Sequence, residues 1–176
     1  MTKFSIQPTK IFPALFLIIL FVSTTTAQTF AGDCFDSAAA YQGINPNVLR
    51  AISRKENGRC DATVHKNKNG SVDVGCMQIN SVHFKTLSSY GVVPNDLSDS
   101  DQCKNIYVGA WHYKRMIAKY GNTWAAVGAY HSETPHLRDA YAADVYRIWL
   151  QLSLLQNDEY YPRPRGSVAG IYHLII

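Results

Sequence analysis

Apolar residues recur at helical spacing through most of the chain, and the clearest stripe ends on an acid. Asn45-Pro46 opens a helix, with Asn as the N-cap and Pro at the first helical position. Val48, Leu49 and Ile52 share one face, and Glu56 continues it at i+4 before Asn57-Gly58 ends the helix. An acid in line with core-facing residues is uncommon unless it is paired or functional. Upstream, Asp33 is placed to cap a short helix over 34–41 that Gly43 closes. Downstream, 59–74 is polar and irregular, and Asn67-Lys68-Asn69-Gly70 in its middle predicts a short hairpin carrying Asp73.

After Gly75, the run Cys76-Met77-Gln78-Ile79-Asn80 reads as extended. Gln78 and Asn80 then fall on one side and Met77 and Ile79 on the other. Asn80 or Ser81 caps a short helix through Phe84 and Leu87 to Tyr90, and 91–100 reads as loop. Asp99 or Asp101 starts a helix over 102–120 with Ile106, Ala110, Tyr113 and Ile117 on its apolar face. Gly109 reads there as a close-packing point between helices. Asn122 or Thr123 caps a helix over 124–130, and Pro135 breaks the polar run behind it. A last helix over 137–155 carries Tyr141, Val145, Ile148, Trp149, Leu152 and Leu155. With no long alternating pattern, the expected fold is mainly α: one helical domain with a small loop and hairpin region.

The two ends read differently. Lys3 and Lys10 precede an apolar run over 11–22, and Thr25-Thr26-Ala27 offers small residues, so 1–27 predicts a secretory signal peptide. Cleavage is expected after Ala27, with Ala31 as the second choice. The domain is then 28–156, followed by a flexible tail over 157–176 that holds Pro162-Arg163-Pro164-Arg165-Gly166 and an apolar end. Removing Lys3 and Lys10 from the 17 basic residues leaves 15 against 13 acidic ones, without any basic cluster, which argues against a nucleic-acid partner. No later segment is apolar enough to span a membrane.

All four cysteines lie in the exported part and predict two disulfides. Three connectivities are possible; Cys60–Cys76 is favoured because it closes the loop after Glu56, leaving Cys34–Cys103. Without C-x-x-C or H-E-x-x-H, neither a metal nor redox chemistry is expected, and no cofactor-binding loop is present. G-x-S-x-G is absent and the histidines are scattered.

Acid/base work on a glycan suits these residues better. A carboxyl in a partly apolar site holds its proton near neutral pH, as protonation of a glycosidic oxygen requires. Glycosidases commonly pair two carboxylates. Asp73, on the loop wall opposite the helix, is the better second acid, and Asp61 beside Cys60 reads as structural. The amides of Gln78 and Asn80 match sugar hydroxyls, or equally satisfy loop backbone. Tyr130 is placed to reach a carboxyl or a sugar ring, or to pack in the core.

Four ordered blocks carry a resemblance. They are C-F-x-x-A-A-x-Y-x-G-I-N-P-x-V-L-x-A-I at 34–52 with the acid at 56, D-V-G-C-M-Q-I-N-S at 73–81, C-x-N-I-x-x-G-A-W at 103–111, and Y-G-N-T-W-A-A-V-G-A-Y at 120–130. Together they resemble the small exported lytic transglycosylases of the lysozyme-like (SLT) superfamily, in the branch that accompanies type III and type IV secretion, conjugation and type IV pili. The resemblance implies a lysozyme-like helical domain in the periplasm that needs no cofactor. It implies cleavage of the β-1,4 bond between N-acetylmuramic acid and N-acetylglucosamine in peptidoglycan, leaving 1,6-anhydromuramoyl ends.

In that family Glu56 matches the single catalytic acid/base. Gln78 matches the residue that positions substrate, with Met77 and Ile79 supporting it, and Tyr130 matches the aromatic bordering the acid. Asp73 stands where some members carry an acid that gives the site lysozyme character. Peptidoglycan glycan strands and secretion, conjugation or pilus proteins are the implied partners. Two departures stand out: Asn57 replaces the usual Ser after the acid, and Tyr130-His131-Ser132-Glu133 replaces Y-N-A-G. The alternatives are a muramidase using Glu56 with Asp73, and a non-catalytic glycan-binding part of a secretion apparatus.

Overall fold

The computed structural model describes residues 30–160; the expected signal peptide and the chain beyond Tyr160 lie outside the described residues. Asn45 sets the start of α2, Pro46–Glu56: its side-chain oxygen accepts from the N–H groups of Asn47 and Val48 at 2.8 and 3.3 Å. Leu49 and Ile52 are fully buried, as the stripe predicts. Ahead of α2, α1 spans Phe30–Gln42. Asp33 therefore lies inside the helix rather than at its cap, since no proline stops the helix from running past it. Gly43 closes α1 in a left-handed conformation, φ 61°.

The hairpin forms where the polar turn residues predict it. β1 (Val64–Lys66) and β2 (Val72–Val74) pair antiparallel with His65 opposite Asp73, and β3 (Ile79–Asn80) pairs on the other side of β2, setting Asn80 opposite Asp73. A 3₁₀ turn at Ser81–His83, capped by the Asn80 side chain on the Val82 N–H at 2.9 Å, leads into α3, Phe84–Ser88. The expected loop 91–100 contains a one-turn helix, α4, Pro94–Leu97. Pro94 presets its first residue, and the Asp96 carboxylate accepts from the Val93 N–H at 2.9 Å.

Three helices complete the domain: α5 Cys103–Tyr120, α6 Trp124–Ala129 and α7 Pro135–Tyr160. α7 is longer than the expected 137–155. α5 runs through the middle, burying Ile106, Val108, Ala110, Tyr113 and Met116 between α1 on one side and α6 on the other, while α7 packs on α6 and α2. No helix among the described residues is long and apolar enough to cross a membrane. The cysteines pair as favoured, Cys60 with Cys76 and Cys34 with Cys103.

One segment differs from its expected form. Residues 75–78 turn instead of extending, with Gly75 at φ 78° and Gln78 at φ 46°, so only Ile79 and Asn80 are strand. The cause lies in α5. The Gln102 side chain accepts from the Cys76 N–H at 2.7 Å, and Asn105 accepts from the Met77 N–H at 2.7 Å. The same Asn105 amide donates to the carbonyls of Val74 and Leu97 at 2.8 and 2.9 Å. A Cβ on Gly75 would strike both amides. Gly109 packs closely, as expected, but against this turn rather than another helix: a Cβ there would lie 2.6 Å from Met77 Cγ.

Asn105 is fully buried and serves three backbone groups at once. Asn105→Ala should therefore lower unfolding free energy by about 3 kcal/mol or more, because each orphaned group carries a desolvation penalty. Asn105→Asp should be no milder, since it sets a carboxylate against two carbonyls. Urea unfolding followed by circular dichroism measures both.

Candidate active site

Glu56 is the last residue of α2, where the helix's terminal carbonyls oppose a carboxylate. Its side chain is half-buried, and the Tyr141 hydroxyl donates to Glu56 Oε1 at 2.5 Å. Burial dominates its proton affinity and, with Asp73 adding, lifts its pKa from 4.5 to about 7 against the lowering effects of Tyr141 and Lys55. Lys55 is itself held away by Asp144 at 2.6 Å.

The acid stands between two depressions. A cleft of about 530 Å³ runs between the hairpin wall, with Asn67, Asp73 and Asn80, and the opposite wall of α5, Tyr130 and residues 131–133. A second depression of about 390 Å³ continues past Leu137, Ala140 and Asp144. Glu56 and His131 border both. The path on either side of Glu56 suits an extended polymer.

Asp73 faces the cleft with each oxygen engaged: Asn80 donates to Oδ1 at 2.7 Å and Asn67 to Oδ2 at 2.8 Å. Asn80 thus orients a carboxylate as well as lining the cleft. Gln78 also lines the cleft, but its amide nitrogen donates to the carbonyls of Gly75 and Thr63 at 2.8 and 3.3 Å. Those bonds pin the turn to the hairpin. Met77 is fully buried and does not line the cleft, so it supports from beneath; Ile79 is 2% exposed at the cleft floor. Asp61 takes no part in the cleft. It accepts from Thr63 and from Asn57 at 2.9 Å, which hold its carboxyl well below the usual range. Asn57 thereby ties the end of α2 to the disulfide loop.

Tyr130 borders the cleft but does not bond the acid. Its hydroxyl donates to the Met77 carbonyl at 2.8 Å, joining α6 to the 75–78 turn. The phenol that reaches Glu56 is Tyr141, which sequence reasoning placed only in the apolar stripe of α7. The available signal was chemical: a phenol buried in a core face needs a partner for its hydroxyl. His131 stacks on Tyr141, ring centroids 5.0 Å apart and planes 6° from parallel. Glu133 turns away from the acid to bond Lys119 and, at 2.6 Å, Tyr120. The His-Ser-Glu departure therefore leaves a wall braced by stacking and by an ion pair.

Comparison with known proteins identifies the family. The family model described as Transglycosylase SLT domain matches residues 33–145. An X polypeptide of Escherichia coli is 39% identical over 141 residues, 77% of this chain and 81% of that protein. Protein IpgF of Shigella flexneri is 35% identical over 125 residues, 69% of this chain and 82% of its own length. Invasion protein IagB of Salmonella typhimurium (strain SL1344) is 30% identical over 159 residues, 88% and 98% of the two chains. With a domain model matching residues 33–145 and relatives at 30–39% identity along most of its length, the chain belongs to the transglycosylase SLT family.

Proposed function

We propose that the protein is a lytic transglycosylase of peptidoglycan with Glu56 as its single acid/base. The observation that carries this reading is a half-buried carboxyl, its pKa pushed up to about 7 by desolvation, bordering two depressions. Protonated Glu56 gives its proton to the oxygen between N-acetylmuramic acid and N-acetylglucosamine as the C1–O bond breaks. The resulting carboxylate then removes the proton from the muramoyl 6-hydroxyl, whose oxygen closes on C1. The ring forms a 1,6-anhydro end and no water is consumed.

Asp73, fixed by Asn67 and Asn80, supplies an oriented negative charge for the cationic sugar that develops between these steps. With both oxygens engaged it is poorly disposed to activate water, which favours transglycosylation over the muramidase alternative. Tyr141 is a positioning residue, and His131 steadies its ring. Export to the periplasm is consistent with the two disulfides. Similarity to a protein named for invasion supports a role in opening the wall locally for an export, conjugation or pilus apparatus, and the chain beyond Tyr160 is a candidate contact for such a partner.

Digestion of purified peptidoglycan by the mature protein should release anhydromuramoyl products, read by mass spectrometry, and Glu56→Gln should abolish them. Reducing ends in their place would transfer the reading to hydrolysis. The rate should fall as pH rises through about 7, where Glu56 loses its proton. Because the Tyr141 hydrogen bond favours the carboxylate, Tyr141→Phe should move that descending limb to higher pH and reduce kcat, with circular dichroism unchanged. The same group also governs stability. The unfolded chain releases the Glu56 proton near 4.5 and the folded chain near 7, so the native state weakens as pH rises across that window. Glu56→Gln should remove this loss and, at pH 8, unfold about 2 kcal/mol less readily than the parent. Urea melts at pH 5 and pH 8 measure the difference.

A further inference from the structure

The cleft carries a charged group that the proposed reaction leaves unused. Arg115, on the exposed side of α5, reaches the cleft wall with its guanidinium over Trp111, 4.8 Å from the ring centroid. That contact draws the guanidinium to the indole face and limits the freedom of a long side chain. The acids bordering the cleft are each engaged elsewhere: Glu56 with Tyr141, Asp73 with two amides, Glu133 with Lys119 and Tyr120. Among the described residues, no carboxylate pairs with Arg115.

His83 and His112 line the same end of the cleft, with ring centroids 4.6 Å apart. Burial, with Arg115 adding its repulsion, lowers both histidines and takes His112 to about 4, so both are neutral at physiological pH. Arg115 therefore presents a held, planar fork beside two neutral rings. That geometry fits a carboxylate, which a guanidinium binds through two parallel N–H donors. His112 in turn meets Tyr130 at 4.8 Å, so rings run from His83 through His112 to Tyr130 along the cleft.

We propose that Arg115 is a specificity-determining residue that receives a carboxylate of the substrate at the end of the cleft away from Glu56. The inference rests on the peptidoglycan reading, and that polymer offers two sources. One is the peptide stem. The other is the lactyl carboxylate of muramic acid, which is free only where the peptide has been removed.

The test uses peptide-bearing strands and strands stripped by an amidase, each with its carboxylates free or capped as amides by carbodiimide and ammonia. Product release gives kcat/KM for the mature protein, Arg115→Ala and Arg115→Lys. On the strands that carry the recognised carboxylate, capping should lower the parent about tenfold and leave Arg115→Ala unchanged, with Arg115→Lys between them because it keeps charge without the fork. Preference for peptide-bearing strands assigns the stem as source; preference for stripped strands assigns the lactyl group. Equal sensitivity to capping in the parent and Arg115→Ala on both kinds of strand would overturn the proposal. Should no protein release product, the reaction reading falls by itself. Affinity of Glu56→Gln protein for capped and uncapped strands, with and without Arg115→Ala, then decides the role of Arg115.

Discussion

The site depends on one buried amide. Asn105 holds the Met77 N–H and the Val74 and Leu97 carbonyls, and so fastens the second strand, the turn behind it and the loop before α5 to the central helix. A free amide in an apolar core would be destabilising, but this one has three partners and is thereby held in a single orientation. The turn it fixes exposes the Met77 carbonyl to Tyr130 and brings Gln78 back against the hairpin. Asp73, immediately before Val74, takes its place on the cleft wall as a consequence. The Cys60–Cys76 bridge adds a covalent tie between the same turn and the loop that leaves Glu56. Both walls are thus registered to the end of α2.

That registration makes an unfavourable residue tolerable. Glu56 is desolvated, lies at the negative end of a helix and faces Asp73, and all three features resist its ionisation. A structural role would call for a neutral side chain or a close cation, yet the nearest lysine is bonded to Asp144. Tyr141 offers a single hydrogen bond, enough to orient the carboxyl without neutralising it. A group held in this way changes its charge near neutral pH, as an acid that must later act as a base requires. The fold gives up stability above pH 7 to keep it.

The sequence made part of this legible for definite reasons. Asn45-Pro46 and the 48, 49, 52, 56 stripe are local signals read without tertiary knowledge, and they place Glu56 correctly. The cysteine pairing and the hairpin around Asn67–Gly70 follow from loop closure and turn chemistry. The turn at 75–78 was not legible, because four alternating residues are too few to separate a strand from a turn imposed by a distant helix. Asn105 stood among the residues of a family block, but its three bonds go to partners contributed by other segments. Tyr141 matched its apolar neighbours so well that only the bonding need of a phenol set it apart.

The His131-Ser132-Glu133 departure shows how the opposite wall accommodates a changed sequence. Its residues brace themselves: His131 on the face of Tyr141, Glu133 on Lys119 and Tyr120. His131 thereby presses on the one residue that bonds Glu56, so the change reaches the acid through Tyr141 without touching it. Glu133 meanwhile spends its charge on Lys119 and Tyr120, and among the described residues no carboxylate pairs with Arg115 on the same wall. His131, Glu133 and Arg115 line one cleft. A wall whose acids are engaged, and whose guanidinium lies over Trp111, suits an anionic strand better than a neutral one.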